Sequence, residues 1–297
     1  MRGPTWDPKT QHMHSSAFLD AAGVLTRTGP ADRVPWWSFT KTILATAALR
    51  LAEQKRLDLD GRLAGEPFTP RQLLRHEAGL SDYGHLERYH AAVAAGFEPW
   101  PVDQLLQAAS AARLRWPSGT GWAYSNIGYV KISQLIERAS GQPLAAALTS
   151  LVFQPAGLDT ARLALTPSDL VDVRMGSAAG YHPGWVYHGL VVGTVADAAR
   201  LMWSLACDRL LEPATMTMMK EARALTEYRS DREPDPGYGL GLMLNARNPD
   251  AHPIGHSGEG PGSRIAVYAS RGRAAAVWAE LPAETDPEAD AFAMLGG

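Results

Sequence analysis

Cysteine is nearly absent from this sequence: Cys207 is the only one among 297 residues. That excludes a disulfide within the chain and argues against a thiolate zinc site. As a lone thiol after the apolar run "LMWSLA", Cys207 reads as a buried structural residue. Lysine is also scarce, with five among 28 basic residues: Lys9, Lys41, Lys55, Lys131 and Lys220. A lysine at an interior-looking position is therefore informative. There is no surplus of positive charge: the net charge is -3 and the pI about 6.3. No nucleic-acid partner is expected from that balance. No apolar run approaches the roughly 18 residues of a spanning helix, so no membrane partner is expected. The first residues, "MRGPTWDPKTQHMHSS", lack the apolar stretch of a secretory signal, and the expectation is a cytoplasmic protein. Repeats and low-complexity linkers are missing too. "GEGPGS" lacks the Gly-Lys-Ser/Thr of a phosphate loop.

What is present is an ordinary globular composition, 45% hydrophobic and 20% charged. Residues 17–27 fit a strand or short hairpin, and residues 38–55 a helix with Ile43, Leu44, Ala47, Ala48 and Leu51 on one face. Thr69, Pro70 and Gly79 punctuate a helix in "FTPRQLLRHEAGL". Two short helices are expected over 86–114, divided by "GFEPWPVD", then a loop, then a helix ended by Gly141. Thr194 and Asp197 suggest a capping box on "VADAARLMWSLA". From Tyr238 onward the chain reads as strands, with "SRGR" turning the last hairpin and "DPEADAFAML" closing as a helix. The layout implies an α+β fold, an α/β sandwich. Its antiparallel sheet is built from both chain ends and flanked by helices, with a helical lobe inserted. The expected arrangement is a single domain over 1–297, with an α/β lobe from 15–60 and 180–297 and a mainly helical lobe over 61–179.

Three short motifs carry chemistry. Ser38-x-x-Lys41 puts a hydroxyl and an amine on one helix face. Serine needs a base before it attacks. A lysine with a depressed pKa can be that base. The helix start also offers free N–H groups to an oxyanion. Tyr124-Ser125-Asn126 adds a phenol for proton transfer and an amide that both donates and accepts; a turn with a helix cap explains it equally well. His256-Ser257-Gly258, on a strand expected near a sheet edge, suits docking of a substrate as an added strand; a polar strand end is the plainer account. Trp36 and Trp37 either wall a pocket or pack the helix start. His12-x-His14 lacks a third metal ligand, and His85, His90, His182 and His188 offer no metal spacing. "GYHPGWVYHG" could border a pocket as an aromatic rim.

Taken together, the three motifs resemble the Ser-x-x-Lys, Ser-Asp-Asn and Lys-Thr-Gly signature of serine β-lactamases and penicillin-binding proteins. The variant here is similar to the branch of the serine β-lactamase-like superfamily containing class C β-lactamases, D-alanyl-D-alanine carboxypeptidases, D-aminopeptidases and related carboxylesterases. "SFTKT", "FTPRQLLRHEAGL", "PSGTGWAYSNIGY", "FQPAGLDT", "GTVADAARLM", "YGLGLML" and "GHSGEGPG" match in order, over roughly residues 36–270.

The resemblance implies a β-lactamase/transpeptidase-like fold and a serine hydrolase that forms an acyl-enzyme on Ser38. It implies no cofactor and no metal. Lys41 would be the base, or would keep Tyr124 ionised; Tyr124 would pass the proton to the leaving group. Asn126 would orient Lys41 and substrate. The backbone N–H groups of Ser38 and Glu259 would form the oxyanion hole. His256, Ser257, Gly258 and Glu259 would line the substrate site, with His256 in place of a lysine as a weak, switchable positive charge. His76 matches a family position and is expected to support the site structurally. The expected substrate is a small-molecule ester, amide or peptide. The alternatives are a penicillin-recognising D-amino-acid peptidase, a β-lactamase, or a binding protein that does not turn over. Three departures stand out: a short segment before Ser38, an acidic Glu259 where relatives are often small, and the two tryptophans. The sequence leaves the oligomeric state open.

Overall fold

The computed structural model describes residues 14–296. In chain order, β1 (His14–Leu19), β2 (Leu25–Thr28) and β3 (Val34–Pro35) precede α1 (Thr40–Glu53). Then come α2 (Pro70–Leu74), α3 (Glu87–Ala94), α4 (Val102–Ala108), α5 (Asn126–Ser140) and α6 (Leu144–Leu148). Next are β4 (Arg162–Ala164), β5 (Leu190–Gly193), α7 (Val195–Ala206) and α8 (Pro213–Lys220). The chain closes with β6 (Arg223–Ala224), β7 (Pro236–Tyr238), β8 (Met243–Asn245), β9 (Ile254–Gly260), β10 (Ser263–Ser270), β11 (Arg273–Glu280) and α9 (Pro287–Leu295).

The main sheet has eight strands in the order β2-β1-β11-β10-β9-β8-β7-β6, all paired antiparallel. Both chain ends build it, as the α+β reading requires. Strands β10 and β11 are buried on both faces, and their residues alternate between two cores. Ile265, Val267, Ala269, Ala276 and Trp278 join the large core under α7 and α1. Ala266, Tyr268, Ala275 and Val277 face α9 through Ala291 and Leu295. The β10–β11 turn has Arg271 at φ 50° and Gly272 at φ 74°, the left-handed pair that a tight hairpin turn needs.

A second sheet, β3-β5-β4, was not expected from the sequence; its strands have only two to four residues. It matters because β3 leads directly into Ser38 and β5 lies beside it. The α2 helix is shorter than its Gly79 stop suggests. The chain leaves the helix after Leu74, and His76 takes φ 59°. The Thr194/Asp197 cap is one-sided. Thr194 Oγ1 accepts from the Asp197 N–H, but the Asp197 carboxylate turns to Thr160 instead. Cys207, expected buried, is partly exposed at the end of α7. No helix among the described residues is long and apolar enough to cross a membrane.

Thr69 caps α2 in a full capping box with Gln72, whose side chain also accepts from Ser118 Oγ at 2.9 Å. The cap thus ties the 117–120 loop, which leads to Tyr124, to the helix below it. Thr69→Ala should lower unfolding stability by about 1 kcal/mol, measured by urea denaturation. An unchanged midpoint would show that the box contributes nothing.

Candidate active site

Residues before Ser38 set its position. Trp36 is wholly buried, and its indole donates to the Gly193 carbonyl at 3.1 Å. Trp37 adopts φ 41°, unusual for a bulky residue, and such backbone strain is of order 1–3 kcal/mol. Its indole is pinned by a 3.0 Å bond to Ser263 Oγ and sits edge-on to Tyr181. The two tryptophans therefore divide the roles that sequence left open: Trp36 packs the core and Trp37 walls the pocket. Ser38 lies in a single 3-10 turn, Trp37–Phe39, just ahead of α1, and Lys41 lies in the first turn of α1.

Lys41 has no solvent exposure. Its Nζ is 3.1 Å from Ser38 Oγ, 2.8 Å from Asn126 Oδ1 and 3.3 Å from His188 Nε2. The Tyr124 ring lies 4.8 Å from the same nitrogen. Burial pulls the Lys41 pKa down from 10.5 to about 7, against the opposing pull of Asp82. A neutral amine this close to a hydroxyl can take its proton. Tyr124 is pushed the other way: burial raises its pKa, and the neighbouring Ser38 hydroxyl only partly offsets that. Its phenol is neutral and can donate.

Asn126 begins α5, behind a Ser125 cap. Its backbone N–H donates to Asp82 Oδ1 at 2.7 Å and its Nδ2 to Asp82 Oδ2 at 3.3 Å. Those bonds fix the amide so that Oδ1 faces Lys41. His76 accepts from the Ser125 N–H at 3.1 Å and stacks on Tyr124, ring centres 4.4 Å apart. This is the supporting role expected of it. Burial holds its pKa well below the usual histidine range.

Strand β9 is interior in the sheet order, not an edge strand. Yet β8 pairs with it only at Met243↔Gly255, so from His256 to Gly260 one side has no partner strand. A Cβ on Gly258 would lie 2.7 Å from the Ser38 nitrogen and 2.8 Å from the Trp36 carbonyl oxygen. Only glycine lets this open edge reach the serine turn.

His256 differs from expectation. It is wholly buried, and its pKa falls to about 3 through burial and the nearby Lys41. Its Nδ1 meets the Ser257 carbonyl at 2.5 Å, and its Nε2 is 3.0 Å from the Tyr238 hydroxyl. It is a neutral brace, not a switchable cation. Ser257 alternates to the other face of the sheet, where its hydroxyl contacts Met243 Sδ at 3.7 Å. Glu259 is exposed at the pocket, with its carboxylate paired to Arg264 Nε at 2.6 Å.

The pocket over Ser38 has a volume of about 230 Å³. Trp37, Tyr83, Tyr89, Val93, Tyr181 and Val186 give it an aromatic and apolar wall. Among the described residues no lysine or arginine lines it. Three wider clefts, about 420, 660 and 820 Å³, do not include Ser38. Sequence reasoning missed two members of the site, Asp82 and His188. "SDYG" looks like an ordinary turn. His188 was grouped with an aromatic rim because nothing in its spacing points to Lys41. No group of three or more His, Cys, Asp or Glu among the described residues is arranged for a metal ion; His12 lies outside those residues.

The fold and the serine–lysine pair define a protein of the serine β-lactamase-like class. The chain matches the Beta-lactamase family over residues 4–296 and belongs to it. Among curated proteins it is 36% identical to esterase EstB of Burkholderia gladioli over 142 residues, covering 41% of this chain and 36% of that one. It is 26% identical to penicillin-binding protein 4* of Bacillus subtilis, covering 76% and 55%. It is 30% identical to a D-aminopeptidase of Brucella anthropi, covering 53% and 31%. The chain thus spans about half or less of the length of these relatives. The fold matches a penicillin-binding protein from Bacillus halodurans with TM-score 0.77 at 18% identity, over 95% of this chain and 94% of that one. It also matches a D-stereospecific amidohydrolase from Streptomyces sp. with TM-score 0.75 at 23% identity, over 90% and 88%.

Two stability changes follow from this packing. Gly258→Ala should destabilise by about 1–3 kcal/mol, because the new methyl meets backbone on the serine turn; a urea midpoint equal to the parent's would refute the close approach. Lys41 is charged in the unfolded chain up to about pH 10.5 but loses its proton near pH 7 when folded. Its burial therefore opposes folding most below pH 7, and the penalty fades as pH rises toward 10.5. Relative to the parent, Lys41→Met should gain on the order of a few kcal/mol at low pH. The acceptors left at Asn126 and His188 offset part of that gain. The advantage should shrink as pH rises; one that grows with pH would contradict the lowered lysine pKa.

Proposed function

We propose that this protein is a serine hydrolase that cleaves a neutral ester or small amide through an acyl-enzyme on Ser38. The observation that carries this is the dry lysine, 3.1 Å from the Ser38 hydroxyl with its pKa near 7. In this reading neutral Lys41 takes the Ser38 proton as Oγ attacks the carbonyl carbon. The oxyanion is held by the N–H groups of Ser38 and Glu259. Tyr124, kept protonated by burial, gives its proton to the leaving alcohol or amine as the C–O or C–N bond breaks. That leaves Lys41 an ammonium and Tyr124 a phenolate, and water then attacks the ester on Ser38 by the reverse sequence: Tyr124 takes the water proton and Lys41 returns its proton to Ser38 Oγ as the ester bond breaks. The sequence motifs left open whether Lys41 or Tyr124 is the first base. The opposite pKa directions favour Lys41.

Substrate preference follows from the wall. A pocket of aromatic and apolar side chains suits an apolar acyl group. Without a lysine, an arginine or a charged His256 facing it, the pocket offers no fixed cation to the carboxylate of a β-lactam, and the Glu259 carboxylate sits at its mouth. A second reading is supported by Glu259 itself. As the acidic side chain at the pocket, it could receive the ammonium of a D-amino-acid amide or peptide once it swings from Arg264.

p-Nitrophenyl acetate and butyrate, a D-alanyl peptide and nitrocefin should be compared side by side. Short esters should turn over and nitrocefin should be slow or inert. Ser38→Ala should reduce ester turnover by more than about a thousandfold. Below pH 7, kcat/KM should fall about tenfold per pH unit as Lys41 gains its proton. Rapid nitrocefin hydrolysis with inert esters would reverse the substrate assignment. Full activity in Ser38→Ala would end the serine mechanism.

A further inference from the structure

His188 has no part in the mechanism so far, yet it touches its central group. It is the third residue of the turn at residues 186–189. Gly189, at φ 102°, donates to the Val186 carbonyl at 2.7 Å and starts the run into β5. The ring is buried, with Nε2 3.3 Å from Lys41 Nζ. Its other nitrogen, Nδ1, is buried with no protein partner. Nε2, against Lys41, is thus the one side-chain polar contact of the ring among the described residues.

The hydrogen count at Lys41 assigns it a task. A neutral amine has two hydrogens and one lone pair, and three polar atoms surround this one. Asn126 Oδ1 can only accept, because the amide is fixed by Asp82. One hydrogen goes there. If the second went to Ser38, the lone pair would face His188 and Ser38 would have no base. If Nε2 carried its own hydrogen, it would donate to the lone pair with the same result.

We propose that His188 is a positioning residue for Lys41: its unprotonated Nε2 accepts the second hydrogen and so directs the lone pair at Ser38 Oγ. The imidazole proton then sits on Nδ1. Burial keeps the ring neutral, with its pKa well below the usual histidine range, and Lys41, His256 and His76 oppose its protonation from α1, β9 and the segment after α2. Lys41 in turn is faced by Asp82 from the loop after α2, and by Tyr124 and Tyr129 from the loop before α5 and its first turns. When Lys41 is an ammonium, its three hydrogens match the three acceptors Ser38 Oγ, Asn126 Oδ1 and His188 Nε2. The same cage therefore serves both protonation states.

The proposal rests on the reading of Lys41 as base. The test compares His188→Gln with His188→Asn. Both are amides, but only glutamine reaches the place of Nε2. The rate of fluorophosphonate labelling of Ser38, confirmed as a mass adduct, is followed against pH. Lys41 is titrated by the 13Cε signal in lysine-labelled protein, where only five lysines need assignment. Thermal melts verify folding. His188→Gln should label within about threefold of the parent, and His188→Asn at least about tenfold more slowly. In His188→Asn the Lys41 midpoint should also fall below that of the parent, because the ammonium has lost an acceptor. Parental labelling in His188→Asn overturns the proposal. Equal loss in both folded variants also overturns it, leaving a packing role only. If Lys41→Met labels as fast as the parent, the base reading fails on its own evidence and takes the proposal with it.

Discussion

The structure depends on keeping one ammonium out of water. Lys41 is enclosed by the serine turn, the start of α5, the loop before β5 and the inner face of β9, and no carboxylate touches it. A buried lysine beside a carboxylate would form an ion pair and hold its proton. Here the acid that acts on it, Asp82, is hydrogen-bonded to the backbone and amide of Asn126 and raises the Lys41 pKa by its charge alone, without contact. The result is an amine whose pKa is drawn down to about 7. Three histidines surround it, and all are held neutral by the same burial and by the lysine's own charge. The site is a set of neutral polar groups arranged round one proton.

The scaffold makes that enclosure from remote segments. Strand β3 and strand β5 fix Trp36 and the loop carrying His188. The sheet brings β9 against the serine turn at Gly258. Helix α5 begins where the Ser125 cap and the Asp82 carboxylate hold its first residues. Trp37 takes up the strain at the junction, and its anchorage to Ser263 and Tyr181 is what makes that φ tenable. Apart from the local Ser125 cap, these supports are hydrogen bonds or close contacts between elements far apart in sequence, so the geometry of the site depends on long-range packing.

How far this was legible in the sequence depends on whether the signal was local. The hairpin over Arg271 and Gly272, the Thr69 cap and the Gly141 stop were readable because turn and cap chemistry is set by neighbouring residues. Both faces of β10 and β11 being buried was foreshadowed by their unbroken apolar runs. Ser38, Lys41, Tyr124 and Asn126 were readable as motifs, and their convergence as a resemblance. Burial of a specific histidine was not. His256 was expected to carry charge because an isolated imidazole titrates near neutrality. What fixes its state is the Tyr238 hydroxyl and the absence of water, neither of which leaves a mark beside it in the chain. His188 and Asp82 were missed for the same reason: their partners are 147 and 44 residues away. The β3-β5-β4 sheet was missed because two to four residues carry too little periodicity to be distinguished from loop.

The neutral character of the site bears directly on what it can select. In a cleft with a fixed cation, binding energy comes from a substrate carboxylate, and specificity is electrostatic. Here, among the described residues, the wall is largely aromatic rings and two valines, with no lysine or arginine, so discrimination of the acyl group rests on apolar fit, a matter of area and shape. Apolar fit distinguishes homologous acyl chains only weakly, by roughly 1–3 kcal/mol per methylene. Such a pocket favours a class of acyl groups over a single compound. The constraint that lowers the Lys41 pKa, the exclusion of water and counter-charge, therefore also leaves the pocket without a fixed cation for an anion. Both properties come from the same packing, and a substitution that brought a cation to the pocket would be expected to disturb the lysine it faces.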